Sequence, residues 1–208
     1  MSKCRVIVVP EFVVRCRKTN TNPDQFLEGI GSGAHAEYLP HIMVNALFLS
    51  KAHRPDVKLS LVFEETSDYS RRLVLDGEVL GTVGGHDEKS LLLFLAAALR
   101  EALGMAKETS VVASNGVIVE TISFEHLVKR EAAQRAVYVL DKKGEDLRHI
   151  DLPLDGTFVL TDHIPMPKKT FKSMLRQGVK KISLGPRMLH ASQCITLINN
   201  EYDRRFYR

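Results

Sequence analysis

The spacing of apolar positions changes character along this chain, and the changes mark its elements. Val6, Ile7, Val8 and Val9, then Phe12, Val13 and Val14, are two short apolar runs parted by Pro10. They predict strand pieces at a sheet edge, where a missing backbone donor is tolerated. Residues 19–33 are rich in Asn, Pro, Gly and Ser and read as a connection. No strand directly precedes Gly29, Gly31 and Gly33, so they read as a flexible link or lid rather than a nucleotide-cradling loop. A helix opens near Pro40, with Ile42, Met43, Ala46, Leu47 and Phe48 on its inner face and Lys51, His53 and Arg54 at its close. Residues 57–63 alternate as a strand, and residues 73–80 turn over at Asp76-Gly77, a hairpin signal. Past Gly84-Gly85, Asp87 is placed to cap a helix whose residues 91–99 are apolar on nearly every side, which suits deep burial or a subunit contact.

An internal seam is expected near residues 109–121. Beyond it, residues 137–140, 158–160 and 182–184 are short apolar runs with room for crossovers between them, the pattern of buried parallel strands. Phe171, Met174 and Leu175 fall at helical spacing before Gly178, so strand, helix and strand follow one another and predict an α/β layer. The last helix carries Ala191, Cys194, Ile195, Ile198 and Tyr202 as one apolar stripe, with Gln193, Asn199, Asn200 and Arg204 on the polar face.

Composition narrows the class. With 208 residues, 44% of them hydrophobic and 26% charged, the chain is long enough for one full apolar core, and a single domain over residues 1–208 is expected. No apolar run approaches the roughly 20 residues of a membrane span, and Pro10-Glu11 cuts short any secretory core, so the expected location is cytoplasmic. Cys4, Cys16 and Cys194 are odd in number and widely spaced, which fits reduced thiols, and the eight histidines show no ligand spacing, so no metal is expected. The net charge is only +4, but residues 168–208 hold ten Lys and Arg against Glu201 and Asp203 alone. Such a region is either a set of solvated helix faces or a footprint for phosphates.

In a parallel sheet, ligands settle beyond the carboxyl ends of the strands. That directs attention to Leu140-Asp141, to residues 160–163 and to residues 184–189, where Gly185 permits close backbone approach and Pro186 stiffens the turn.

Residues 182–201, reading Ile-Ser-Leu-Gly-Pro-Arg-Met-Leu-His-Ala-Ser-Gln-Cys-Ile-Thr-Leu-Ile-Asn-Asn-Glu, closely resemble the C-terminal motif of the SPOUT methyltransferases that act on N1 of the T-loop pseudouridine of tRNA. Phe158-Val159-Leu160 with Asp162-His163, the strand ending in Leu140, residues 44–50 and Arg54-Pro55-Asp56-Val57 resemble that family in the same order. The chain departs from its pattern at Thr161 and Pro165, where glycines are usual. The resemblance implies an α/β fold with an open, mostly parallel sheet, helices on both faces and a C-terminal trefoil knot over about residues 135–208. It also implies a homodimer, with S-adenosylmethionine held bent by Leu140, Thr161, Asp162, Ser183, Leu184, Gly185, Leu189 and Cys194.

Methylation of the pseudouridine N1 requires its imide-like proton to leave and the ring anion to be stabilised. Asp56 is the candidate proton acceptor and Arg54 the candidate cation. Arg15, Arg17, Lys18, Lys168, Lys169 and Lys172 are the candidate RNA contacts, holding phosphates while the base is flipped out. Each residue also has a structural reading: Cys194 as a packed small hydrophobe, Asp162 as a turn cap, Arg54 and Asp56 as a surface ion pair. The competing functions are methylation of another RNA site, in ribosomal RNA or at a 2′-hydroxyl, and a non-catalytic RNA-binding or assembly role.

Overall fold

The computed structural model describes residues 9–31, 36–81, 83, 85 and 87–207. In chain order these form β1 (Glu11–Asn20), α1 (Pro23–Glu28), α2 (Tyr38–Leu47), β2 (Lys58–Glu65), β3 (Arg71–Asp76), α3 (Glu88–Glu101), β4 (Ser110–Val112), β5 (Ile118–Thr121), α4 (Phe124–Gln134), β6 (Val137–Asp146), β7 (Thr157–Thr161), α5 (Lys168–Arg176), β8 (Lys180–Ser183) and α6 (Ala191–Phe206). Cys4, Val6, Ile7, Val8, Gly33 and Gly84, named above, lie outside the described residues.

The strands form one sheet in the order β4-β5-β3-β2-β1-β7-β6-β8. From β2 to β8 the neighbours run parallel, while β3, β5 and β4 extend the sheet antiparallel. Side chains alternate across β1, so Phe12, Val14 and Cys16 enter the larger core with α2, α3 and α6, while Val13 enters a smaller core under α4 and α5. Helices therefore cover both faces. Each fully buried Val, Leu or Phe contributes about 1.5–3 kcal/mol.

The expected edge position of the first strand is wrong: β1 lies in the middle, between β2 and β7. Pro10 sits just before the ladder rather than inside it, so its absent N–H interrupts nothing, and its carbonyl accepts from Lys58 N at 3.1 Å. β2 does not alternate in burial either; residues 59–63 are all buried because both faces are covered, and Ser60 is satisfied there by Glu11 and Arg72. Asp76-Gly77 ends β3 without starting a hairpin, since β3 pairs with β2 and β5. Glycine is required at 77 by close approach: a Cβ there would lie 1.8 Å from the Arg54 carbonyl oxygen. Residues 109–121 form the β4–β5 hairpin on β3 rather than a seam between halves.

The first helix was hidden in the expected connection. Asn22 accepts from Asp24 N and Gln25 N, Pro23 occupies the first turn, and Phe26 packs on Phe63 with ring centroids 5.5 Å apart. α2 stops at Leu47, well before Lys51. α3 starts at the Asp87 cap as expected, and its apolar residues are used inside this chain; Leu93 remains 44% exposed. β7, α5 and β8 also match the expected strand, helix and strand, with Gly178 at φ +91° ending α5.

At the far edge the chain makes a close crossing. Ile182 of β8 is registered with both Leu140 and Glu145, so residues 141–144 bow around it. A Cβ on Gly144 would lie 2.5 Å from the Ile182 backbone, which restricts that position to glycine.

Candidate active site at the strand ends

β6 does not end at Leu140 as expected but runs on to Asp146; its pairing with β7 stops at Val139, so Leu140 leaves that ladder beside the Thr161 and Ser183 ends of its parallel neighbours, at one end of the sheet. Ser183 Oγ accepts from Gly185 N at 3.2 Å and shapes the next turn. Gly185 has φ +116°, and a Cβ there would meet nothing within 4 Å, so the backbone faces open space. Leu140, Leu184 and Leu189 are half-buried against the larger core. Cys194, at the start of α6, is buried, and burial pushes its thiol up to about 11, so it stays neutral near pH 7.

Asp162 is already engaged. Its N donates to Arg15 O at 3.0 Å, one carboxylate oxygen accepts from Arg17 N at 2.9 Å and the other from Ile164 N at 2.7 Å. Burial raises its pKa, opposed by those two N–H donors. The turn-capping reading thus holds for Asp162, which clasps the β7 loop to β1. His163 follows, exposed, with its ring edge-on to Tyr38 at 5.8 Å. Half-buried leucines beside an open glycine turn suit the apolar faces and hydroxyls of an adenosine group, so the residues present fit S-adenosylmethionine.

Arg54 and Asp56 are elsewhere. They precede β2 and so lie at the amino ends of the parallel strands, away from the loops just described. Arg54 is held mainly by Asp203 of α6, Nη1 to Oδ1 at 2.7 Å with Nη2 on the other oxygen, and Asp56 is 3.9 Å away. Hydrogen bonding to Asp203 raises the Arg54 pKa, which keeps it cationic. Cys194 and Asp203 are nine residues apart on one helix, about 13 Å along its axis. One chain therefore does not bring Arg54 and Asp56 to its own strand-end loops. Asp203 was missed in the sequence, although an acid in the last turn of a helix opposes the macrodipole and invites a cationic partner.

The basic candidates divide. Arg15 does not fit an exposed phosphate contact: it is buried, its guanidinium bonds Glu64 at 2.8 and 2.9 Å and Glu125 at 2.9 Å, and it lies 4.4 Å from the Phe124 ring centre. Arg17 is half-buried and Lys18 exposed at the end of β1. Lys168, Lys169 and Lys172 are exposed on α5, whose first turn has no acid, so two lysines add to the positive end of the helix beside the β7 loop.

A family model described as "Putative SAM-dependent RNA methyltransferase" matches residues 9–206. A Vibrio cholerae protein called "Putative pseudouridine methyltransferase" is 46% identical over 194 residues, 93% of this chain and 96% of its own. Proteins of the same description from Vibrio vulnificus, 48% identical over 92% of this chain and 97% of theirs, and Alcanivorax borkumensis, 45% identical over 92% and 96%, are also similar. Archaeoglobus fulgidus Nep1, solved bound to S-adenosylhomocysteine, matches in fold with a TM-score of 0.57 at 11% identity, covering 94% of this chain and 97% of that one.

Proposed function

The chain belongs to the family of S-adenosylmethionine-dependent RNA methyltransferases, and from that premise we propose that it methylates N1 of a pseudouridine in the tRNA T-loop. In this reading it works in the cytoplasm as a homodimer, with about residues 135–208 tied in a trefoil knot. The observation that carries the proposal is the shared end of β6, β7 and β8, where open loops meet the lysines of α5. The relatives' description as pseudouridine methyltransferases supports the choice of nucleoside. Support for the knot comes from the bowing of residues 141–144 around Ile182 and from α6, whose Tyr202 and Arg205 bond the carbonyls of Pro153, Leu147, Arg148 and Ile150. The placement of Arg54 and Asp56 supports the dimer: they reach a methyl donor only if a second copy presents its loops to them.

When bound, S-adenosylmethionine supplies an electrophilic methyl on a sulfonium that departs as a neutral thioether. Leu140, Leu184, Leu189 and Cys194 form the walls that orient it, and the Ser183–Gly185 turn sets their spacing. Asp56 takes the N1 proton as nitrogen bonds carbon, and Arg54, kept charged by Asp203, balances the ring's negative charge. Lys18, Lys168, Lys169 and Lys172 hold phosphates, and alignment of base and methyl supplies much of the rate.

The test is mass spectrometry of tRNA nucleosides from cells lacking the protein. Methylated pseudouridine is expected to vanish and to return with the wild-type gene; its persistence overturns the proposed substrate. Purified protein that binds RNA but no methyl donor would instead support the assembly role.

A further inference from the structure

Between α2 and α6 lies a cavity of about 230 Å³ that the donor loops do not use. Its size is below the roughly 300–1,000 Å³ of pockets that enclose a whole ligand, so it suits one part of a larger molecule. Val44 and Phe48 give it apolar walls, and Arg54, Asp203, Asn199 and Asn200 give it polar ones, with both Asp203 carboxylate oxygens already accepting from Arg54. Asn199 is only 3% exposed, which is costly for an amide unless both ends are satisfied. Its Nδ2 donates to Asn45 O at 3.0 Å and Ala46 O at 3.3 Å, closing the end of α2. Its Oδ1 is buried and has no partner among the described residues. Asn200 is exposed beside it, and among the described residues no hydrogen bond uses its amide. One buried acceptor next to amide and guanidinium donors, with apolar walls, complements an N–H flanked by carbonyls on a flat ring.

We propose that this cavity receives the flipped pyrimidine by its imide edge, with Asn199 Oδ1 accepting from N3–H while Asn200 and Arg54 donate to the adjoining carbonyls. This rests on the function proposed above and deepens it. The N3 edge is common to uridine and pseudouridine, so the cavity admits both. Discrimination then falls on N1, which carries a proton in pseudouridine and the ribose in uridine. Unmodified RNA is accordingly a competitive inhibitor rather than a stranger to the enzyme.

The experiment uses a stem-loop RNA with pseudouridine at the target position, the same RNA with uridine there, and the full-length protein. The uridine RNA is expected to inhibit with an affinity within about threefold of its pseudouridine counterpart. Asn200→Leu, an exposed change that spares the fold, is expected to weaken both RNAs by about tenfold, the value of one or two lost hydrogen bonds to a base, with donor affinity unchanged. Retention of RNA affinity within twofold in Asn200→Leu, weakening of one RNA alone, or loss of donor binding overturns the inference. Failure of the wild type to bind donor at all overturns the underlying functional reading instead.

Discussion

Cations at the α5 rim and cations beneath α4 are chemically alike and do opposite work. Lys168, Lys169 and Lys172 stand in solvent with no acid in the first turn beside them. Beneath α4, Arg15 is enclosed by Glu64 and Glu125, and Arg72 bonds Ser60, Glu11 and Glu120 at 3.0, 2.5 and 3.1 Å. Arg130 and Arg135 complete that layer against Glu120 and Glu131. The difference teaches that a basic count says little about a partner until burial is known. Paired and buried arginines hold a core together, whereas unpaired surface lysines beside a helix start leave a field for phosphates.

The comparison breaks most visibly at Arg72. Glu11 is 1% exposed, so Arg72→Ala leaves its buried carboxylate with only the Ser60 hydroxyl and Arg135, 3.8 Å away, and urea unfolding is expected to show a loss of about 3 kcal/mol. Replacing Lys168, Lys169 and Lys172 together by Gln is expected to move stability by less than about 1 kcal/mol, yet to flatten the dependence of log RNA affinity on log salt by about 0.7–0.9 per lysine. A triple variant that unfolds, or that keeps the wild-type slope, would merge the two regions again.

These two regions were unequally legible in the sequence. Lys168, Lys169 and Lys172 flank a periodic helix that names its own exposed face, while nothing local marks Arg15 as buried, because its partners are 49 and 110 residues away. Arg54 and Asp203 are separated by 149 residues for the same reason. Local signals did define α3, α5, β7 and β8, and the strand-end rule pointed to Leu140, Thr161 and the turn after Leu184, while Ser183 was named only through the family resemblance. α1 was readable from Asn22-Pro23 but was masked by the polar composition around it. Asn199 sits on the polar face of its helix and is nevertheless buried, because α2 packs over that face and takes its amide as a cap.

Two smaller effects sharpen the contrast. Gly185→Ala is expected to cost about 1–2 kcal/mol, since φ +116° is unfavourable for any side chain although the space is open. Its readout is a lowered unfolding midpoint. Glu131 has a pKa raised above the usual 4.5 by burial and by Glu11. The folded state then binds that proton more tightly than the unfolded one, so this group's contribution falls as pH rises above 4.5. Glu131→Gln is expected to change stability by less than about 1 kcal/mol, with the difference from wild type moving in the variant's favour between pH 4.5 and 7. Movement in the opposite direction would assign Glu131 to the stabilising ion pairs.

The central claim is that the loops ending β6, β7 and β8 hold the methyl donor, and calorimetric titration of S-adenosylhomocysteine into the purified protein tests it most directly. Binding is expected that falls at least tenfold in Gly185→Val and is unchanged in Asn200→Leu; no binding, or binding indifferent to Gly185→Val, would place the donor elsewhere.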